Sequence, residues 1–454
     1  MWDARSVMRA AKPHQVVPAA MGTAGLTRAK QWRRKPGTAF ALGVANGMLW
    51  NLASAFVNET TVLPMFVHEA GGGPVLVGLI PLMGVVCWNL PQLLAANMLQ
   101  AARHHMPMYR STALARGVAW PAAALATYYL SGRSPGLVLA VFFAMYSLFM
   151  LSGGFGGMAF TSVVARVIPA TRLGLFFGLR QMGGGLLGAL SGAMVWRMLR
   201  GPSGSLANYT SLFAWAAGTF ILGWICFALV SEPGPAPTKP KEPLGRFLAQ
   251  AYSLLITDAN FRMFFIVRLL QSAALMAVPF YVLYCGEILG APRQMVGVYL
   301  FAQMLGMIVS NLAWAPISDR AGNRLVVWLL SLNVLVVTAL AAGLSLASGG
   351  AAQLGFPVVF FLLGTISSGS VIGNTNYLLE MAPLVDTPLY VAAMNTFMAG
   401  GAAFSLLAGK LIGTVGFRFV FAAAAVLGVV SLAASARLDE PRSASGSGGR
   451  GGQS

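Results

Sequence analysis

The sequence predicts an all-α polytopic membrane protein: twelve transmembrane helices in two six-helix, pseudo-symmetric halves. Three observations lead there. Of 454 residues, 57% are hydrophobic and only 9% charged, and the mean hydropathy is +0.71. A soluble chain carries about 25% charged residues, so too few remain here to cover a water-facing surface. The apolar runs recur at lengths near 20 residues, enough to cross hydrocarbon as helices and too long for the ~10-residue alternating strands of a β-barrel. The runs also divide into two sets around a polar, proline-rich break. The net charge of +18 reads as basic loops on the cytosolic side rather than as a nucleic-acid surface.

Taken in order, residues 1–37 form a basic tail interrupted by Pro13, Pro18 and Pro36, with no compact apolar segment of a secretory signal. It reads as a disordered cytosolic extension. The N-terminal bundle, 38–231, holds span one (Phe40 to Phe66), two (Val75 to Leu99), three (Pro107 to Leu130), four (Gly136 to Val164), five (Leu173 to Leu199) and six (Tyr209 to Val230). A cytosolic linker, 232–258, follows; Phe247, Leu248, Ala251, Leu254 and Leu255 lie at helical spacing and suit a short interfacial helix. The C-terminal bundle, 259–437, holds span seven (Phe261 to Cys285), eight (Met295 to Ile317), nine (Leu325 to Leu346), ten (Phe356 to Met381), eleven (Pro388 to Ile412) and twelve (Phe417 to Ala436). Residues 438–454 read as a second disordered cytosolic tail. Cys87, Cys226 and Cys285 lie in or at the ends of apolar runs and read as small core residues.

Placing both termini in the cytosol puts 21 Lys and Arg on that side and 6 outside, with Arg116, Arg180 and Arg268 inside spans. That bias satisfies the positive-inside rule. The halves also resemble each other in detail. Arg166 to Pro169 and Arg172 precede span five as Glu380 to Pro383 and Asp386 precede span eleven. Pro64 ends span one as Pro279 interrupts span seven, and Val77-Gly78 opens span two as Val296-Gly297 opens span eight. Asp386-Thr387-Pro388 reads as an N-cap followed by proline in the first turn.

Between spans eight and nine lies a polar island, Asp319-Arg320-Ala321-Gly322-Asn323-Arg324. It must be a tight turn at the membrane surface, because its charges cannot rest in hydrocarbon. Two six-helix halves, with Asp-Arg-x-Gly-x-Arg between the second and third spans of a half, resemble the major facilitator superfamily over about residues 38–437. The matching residues are Asp319, Arg320, Gly322 and Arg324; Ala315 stands where the family's motif usually begins with glycine. The first-half counterpart, Gln100 to Pro107, keeps basic character but lacks the aspartate and the glycine. The resemblance implies a conformational latch that favours the outward-open state, here surviving in the second half alone. Its implied partners are Arg172 for Asp319 and Glu380 for Arg320 or Arg324.

Charged residues within spans are costly and need a reason. Glu59, in Val57-Asn58-Glu59-Thr60-Thr61, is the one acid well inside an apolar span. It reads either as a protonatable coupling residue or as part of an outer-interface polar cluster. Arg180, followed by Gln181 and a glycine series, could hold an anionic group or pair with a neighbouring helix wall. Arg116 and Arg268 lie close enough to cytosolic ends to snorkel. Asn58, Gln181, Asn374, Asn376 and Asn395 are candidate hydrogen-bonding contacts to a solute, within a larger set of Asn and Gln that tie helices together. His104-His105 reads as part of a basic loop rather than a metal pair.

These residues point to a secondary transporter of a small solute, proton-coupled and working by alternating access as a monomer in the cytoplasmic membrane. The partners are the solute, the lipid bilayer and protons, with no nucleic acid, metal or cofactor. A non-transporting scaffold or assembly factor of the same fold is the alternative. An enzyme is disfavoured, because no nucleophile–histidine–acid set is apparent.

Overall fold

The computed structural model describes residues 36–200, 206–235, 244–347, 350–383 and 387–441, and among them every regular element is a helix. Most of the basic tail, residues 236–243 of the linker, Asp386 and the Ser/Gly-rich end lie outside the described residues. Eleven helical stretches are long and apolar enough to cross a membrane. The twelfth crossing is span three, Met106–Leu130, which matches them in length at 25 residues but carries Arg110 and Arg116.

Spans two (Pro74–Gln100), four (Pro135–Val167), five (Leu173–Met198), six (Ala207–Ala228), eight (Met295–Ala321), nine (Asn323–Leu346) and twelve (Phe417–Ser435) are single helices. Four spans are interrupted, and of these only span seven, at Pro279, reads as interrupted in the sequence. Span one is Pro36–Phe56, a break, then Val62–Glu69. Span seven passes through a 3-10 turn at Leu275–Ala277 between Ala259–Ala274 and Val278–Glu287. Span ten carries a π-helical stretch, Ser370–Asn374, between Gly350–Gly369 and Thr375–Met381. Span eleven is interrupted at Ala402, between Thr387–Gly401 and Ala403–Val415. Irregular backbone at membrane depth survives only where it faces protein or a water-filled space.

The bundle packs through bare backbone. A Cβ on Gly306 of span eight would strike the Phe361 carbonyl of span ten, and one on Gly364 would strike the Gln303 carbonyl. Small residues permit this close approach, and membrane helices rely on it because lipid supplies no hydrophobic drive between them. Gly306→Val is therefore expected to lower folded yield and melting temperature sharply, read by size-exclusion and thermal unfolding in detergent. A normal melting profile would show that these two helices can separate at little cost.

The two halves meet most closely toward the face opposite the termini. Ser405 Oγ donates to the Gly78 carbonyl at 2.8 Å, joining spans eleven and two. Gly192 and Gly297 bring spans five and eight into backbone contact. Arg293 pairs with Glu69, its Nε 2.6 Å from Oε1, and His68 Nδ1 lies 3.2 Å from Glu287.

On the terminal face the helix Leu244–Thr257 forms as its spacing predicts, but Ala251 is buried against Phe261, Phe264 and Tyr390 of the C-terminal half. The polar island is tighter than expected. Asp319 to Ala321 finish the span-eight helix, Gly322 alone turns the chain at φ +90°, and Asn323 begins span nine. That φ is open to glycine and strained for other residues. The C-terminal half also runs past residue 437: Leu438 is buried, and the Tyr377 hydroxyl donates to the Asp439 carbonyl at 2.8 Å.

Candidate functional site

The four helix breaks converge on one place. A cavity of about 470 Å³ lies between the halves, and its lining includes Glu59 and Thr60 from the first break, Leu275 and Met276 from the second, Ser370 and Asn374 from the third, and Gly401 and Ala402 from the fourth. Each break frees backbone polar groups and turns side chains that a regular helix would stack along its axis.

The first break is built by its own residues. Asn58 Oδ1 accepts from the Thr60 and Thr61 backbone amides at 3.0 and 3.1 Å and from both their hydroxyls. These bonds hold the turn that leads into Val62–Glu69, and the Leu63 amide of that helix donates to the Asn58 carbonyl at 3.0 Å. The partial positive charge of that helix start lies beside Glu59. Asn58, a sequence candidate for solute contact, is thus occupied in holding the break. Thr60 Oγ1 lies 2.9 Å from the Gln303 side-chain amide of span eight, so the break also touches the other half.

Glu59 stands at a junction. It lines the central cavity and also a second cavity of about 450 Å³ within the N-terminal half, walled by Trp50, Trp88, Trp120, Tyr146, Phe149 and Phe220. Its carboxyl lies beside the Tyr146 hydroxyl. Gly84 leaves the room for that meeting: a Cβ there would stand 2.8 Å from Tyr146 Oη and 3.3 Å from Glu59 Oε2. The position of Glu59 in two cavities replaces the outer-interface reading.

Arg268 of span seven lines the same central cavity, rather than snorkelling to the surface. No salt bridge or hydrogen bond to it occurs among the described residues. Asn89, Gln271, Gln303, Asn374 and Asn395 are among the polar residues of the lining. Asn374 is buried with its Oδ1 lacking a partner. Gln271 is tied to Ser331 Oγ at 2.9 Å.

The other sequence candidates have structural work. Arg180 donates to the Gly43 carbonyl and to Asn46 Oδ1 at 3.1 Å, and its guanidinium lies over the Phe160 and Phe176 rings. It fastens span five to span one and is absent from the cavity lining. Arg180→Gln should cost about 2 kcal/mol of bundle stability, read as a fall of a few degrees in melting temperature. An unchanged melt with lost ligand binding would return Arg180 to the site. Gln181 accepts from Asn51 at 3.3 Å, and Asn376 donates to Ser318 at 3.3 Å. Arg116 is buried beneath Trp224, 4.8 Å from its ring centroid, instead of snorkelling.

Around the terminal-face turn, Asn323 donates to Glu380 Oε1 at 2.8 Å and accepts from Ser318 at 2.6 Å. The Arg324 guanidinium reaches the Ala436 carbonyl at 3.2 Å. Arg172 is exposed at the start of span five, and Asp319 and Arg320 are exposed in the last turn of span eight. The first-half counterpart is held from an unforeseen direction. Glu232, just after span six, accepts from the His105 and Met106 amides at 2.9 Å, capping span three, and pairs with Arg166. Glu440, just after span twelve, brings its carboxylate beside Gly322, at the start of span nine.

Comparison with known proteins matches residues 264–453 to the family model described as Major Facilitator Superfamily. No curated protein sequence matches the chain. Among solved structures, the nucleoside transporter NupG is similar at TM-score 0.68 and 12% identity, covering 89% of this chain and all of that one. A D-xylose–proton symporter is similar at TM-score 0.65 and 13% identity, over 89% and 98% of the two chains. A peptide-bound POT family transporter is similar at 0.66 and 13%, over 88% and 97%. At these identities the likeness shows a shared fold.

Proposed function

As a protein of the major facilitator superfamily, by fold throughout and by sequence over its C-terminal half, the chain is, we propose, a secondary transporter. It moves a small solute across the cytoplasmic membrane by alternating access, with Glu59 as the proton-coupling group. The observation that carries this reading is the central cavity: all four helix breaks open onto it, and it holds one acid and one base from opposite halves. Broken helices around a midplane site between repeats supply polar groups to a solute without exposing them to lipid. The volume of about 470 Å³ falls within the range of small-molecule sites, about 300–1,000 Å³. The similar solved structures carry nucleosides, xylose and peptides, which supports a solute of that size.

With the termini in the cytosol, the contacts between the halves close the outer side, and the form described is inward-facing. Glu59 then exchanges its proton while wetted from the cavity and carries or releases it as the halves rock. Liposomes containing the purified chain and an internal pH indicator test this against a metabolite panel. A solute that accumulates and moves protons only when the protein is present is expected. No movement of any solute by folded protein would instead favour a scaffold role.

A further inference from the structure

We propose, resting on the carrier reading, that the cargo is a zwitterion with an apolar cationic end. That end enters the aromatic side cavity beside Glu59, and the anionic end meets Arg268. Glu59 and Arg268 are the two charged residues in the lining of the two cavities. They come from opposite halves, and among the described residues no ion pair joins them. Two unpaired charges within a membrane protein each cost several kcal/mol of lost solvation. A direct pair would relieve both, so the fold retains them apart, with open volume between.

A free cation drawn to Glu59 would sit in the field of Arg268, and a free anion at Arg268 would face Glu59. A dipolar solute satisfies both without adding net charge. The side cavity defines the cationic end further. Trp50 lies against Trp88 and Phe220, with centroids 6.2 and 5.0 Å apart, and Trp120 against Phe149 at 5.5 Å. These contiguous ring faces attract an organic cation and bury its apolar substituents. Asn374 and Gln303 add uncharged polar groups to the central cavity, Gln303 standing beside Thr60. The cationic end and a proton occupy the same carboxylate, so loading cargo requires Glu59 to be ionised.

The test uses three probes that differ only in charge: phenylalanine, phenethylamine and 3-phenylpropionate. Binding to the purified full chain is measured by thermal shift and by radioligand. Phenylalanine is expected to bind at least about tenfold tighter than either single-charge analogue, a tenfold ratio being ~1.4 kcal/mol. Glu59→Gln should erase its advantage over 3-phenylpropionate, and Arg268→Gln its advantage over phenethylamine. Arg268→Lys should keep part of that advantage, which separates a charge role from misfolding. Equal binding of the three probes, no phenylalanine binding, or an advantage unchanged in both variants overturns the proposal. The liposome panel is scored independently. A solute that moves protons while phenylalanine fails to bind rejects the cargo class and leaves the carrier intact.

Discussion

Glu59→Gln is expected to abolish pH-gradient-driven accumulation while leaving the protein folded. Glutamine keeps the side chain's length and its place beside Tyr146 but cannot exchange a proton or carry charge. Glu59 is the one acid in either cavity, so no nearby carboxylate can take over. The rate of driven uptake should fall about tenfold or more, a barrier change of at least ~1.4 kcal/mol. What remains should be slow exchange at raised solute concentration, independent of pH. The measurement is uptake into liposomes at a series of imposed pH gradients, beside the wild-type chain. Gradient-driven uptake persisting in Glu59→Gln would remove Glu59 from coupling. Folding should survive, because Asn58 and Thr60, not Glu59, hold the helix break.

Arg293→Ala is expected to open the face opposite the termini. The Arg293–Glu69 pair joins the end of span one to the segment before span eight, with side chains 15% and 9% exposed. Breaking one partner of a buried pair costs 3–5 kcal/mol; with partial exposure, about 2 kcal/mol is reasonable, roughly thirtyfold in the closed-to-open ratio. His68–Glu287, with both side chains about a third exposed, is screened and contributes less. Met65 reports the opening, since its side chain lies against Gly286 across the halves. In a Met65→Cys background, Arg293→Ala should raise labelling by an impermeant maleimide about tenfold or more. Exchanging the charges, Glu69→Arg with Arg293→Glu, should restore protection. Unchanged labelling would mean that the glycine contacts between spans five and eight suffice to close that face.

Much of this organisation was legible because hydropathy and repetition are local signals. Apolar run length marks a membrane crossing wherever its neighbours lie, and span three was recognisable despite two arginines. The polar turn at Gly322 followed from charge and from glycine's access to positive φ. The helix breaks were less visible. Pro279 marked the interruption of span seven, but the break after Phe56, the π stretch at Ser370–Asn374 and the interruption at Ala402 follow from packing around a cavity. Burial of a polar residue is likewise not a property of its own segment. Arg180 and Arg268 look alike in sequence, one arginine within one apolar span each. Tertiary packing gives Arg180 two acceptors and two rings, and leaves Arg268 in open volume.

By itself, then, the sequence determined the solvent, the number of crossings, their two-fold repetition and the position of Glu59 within an apolar span. Each follows from the cost of placing polar groups in hydrocarbon, which is paid residue by residue along the chain. The tertiary structure decided which charges meet. It brought Glu59 and Arg268, 209 positions apart in the chain, to one cavity, ringed Glu59 with aromatic faces, and placed Glu232 and Glu440 at the starts of spans three and nine. Those outcomes depend on how helices from two halves cross, and no periodicity within a single span encodes that crossing.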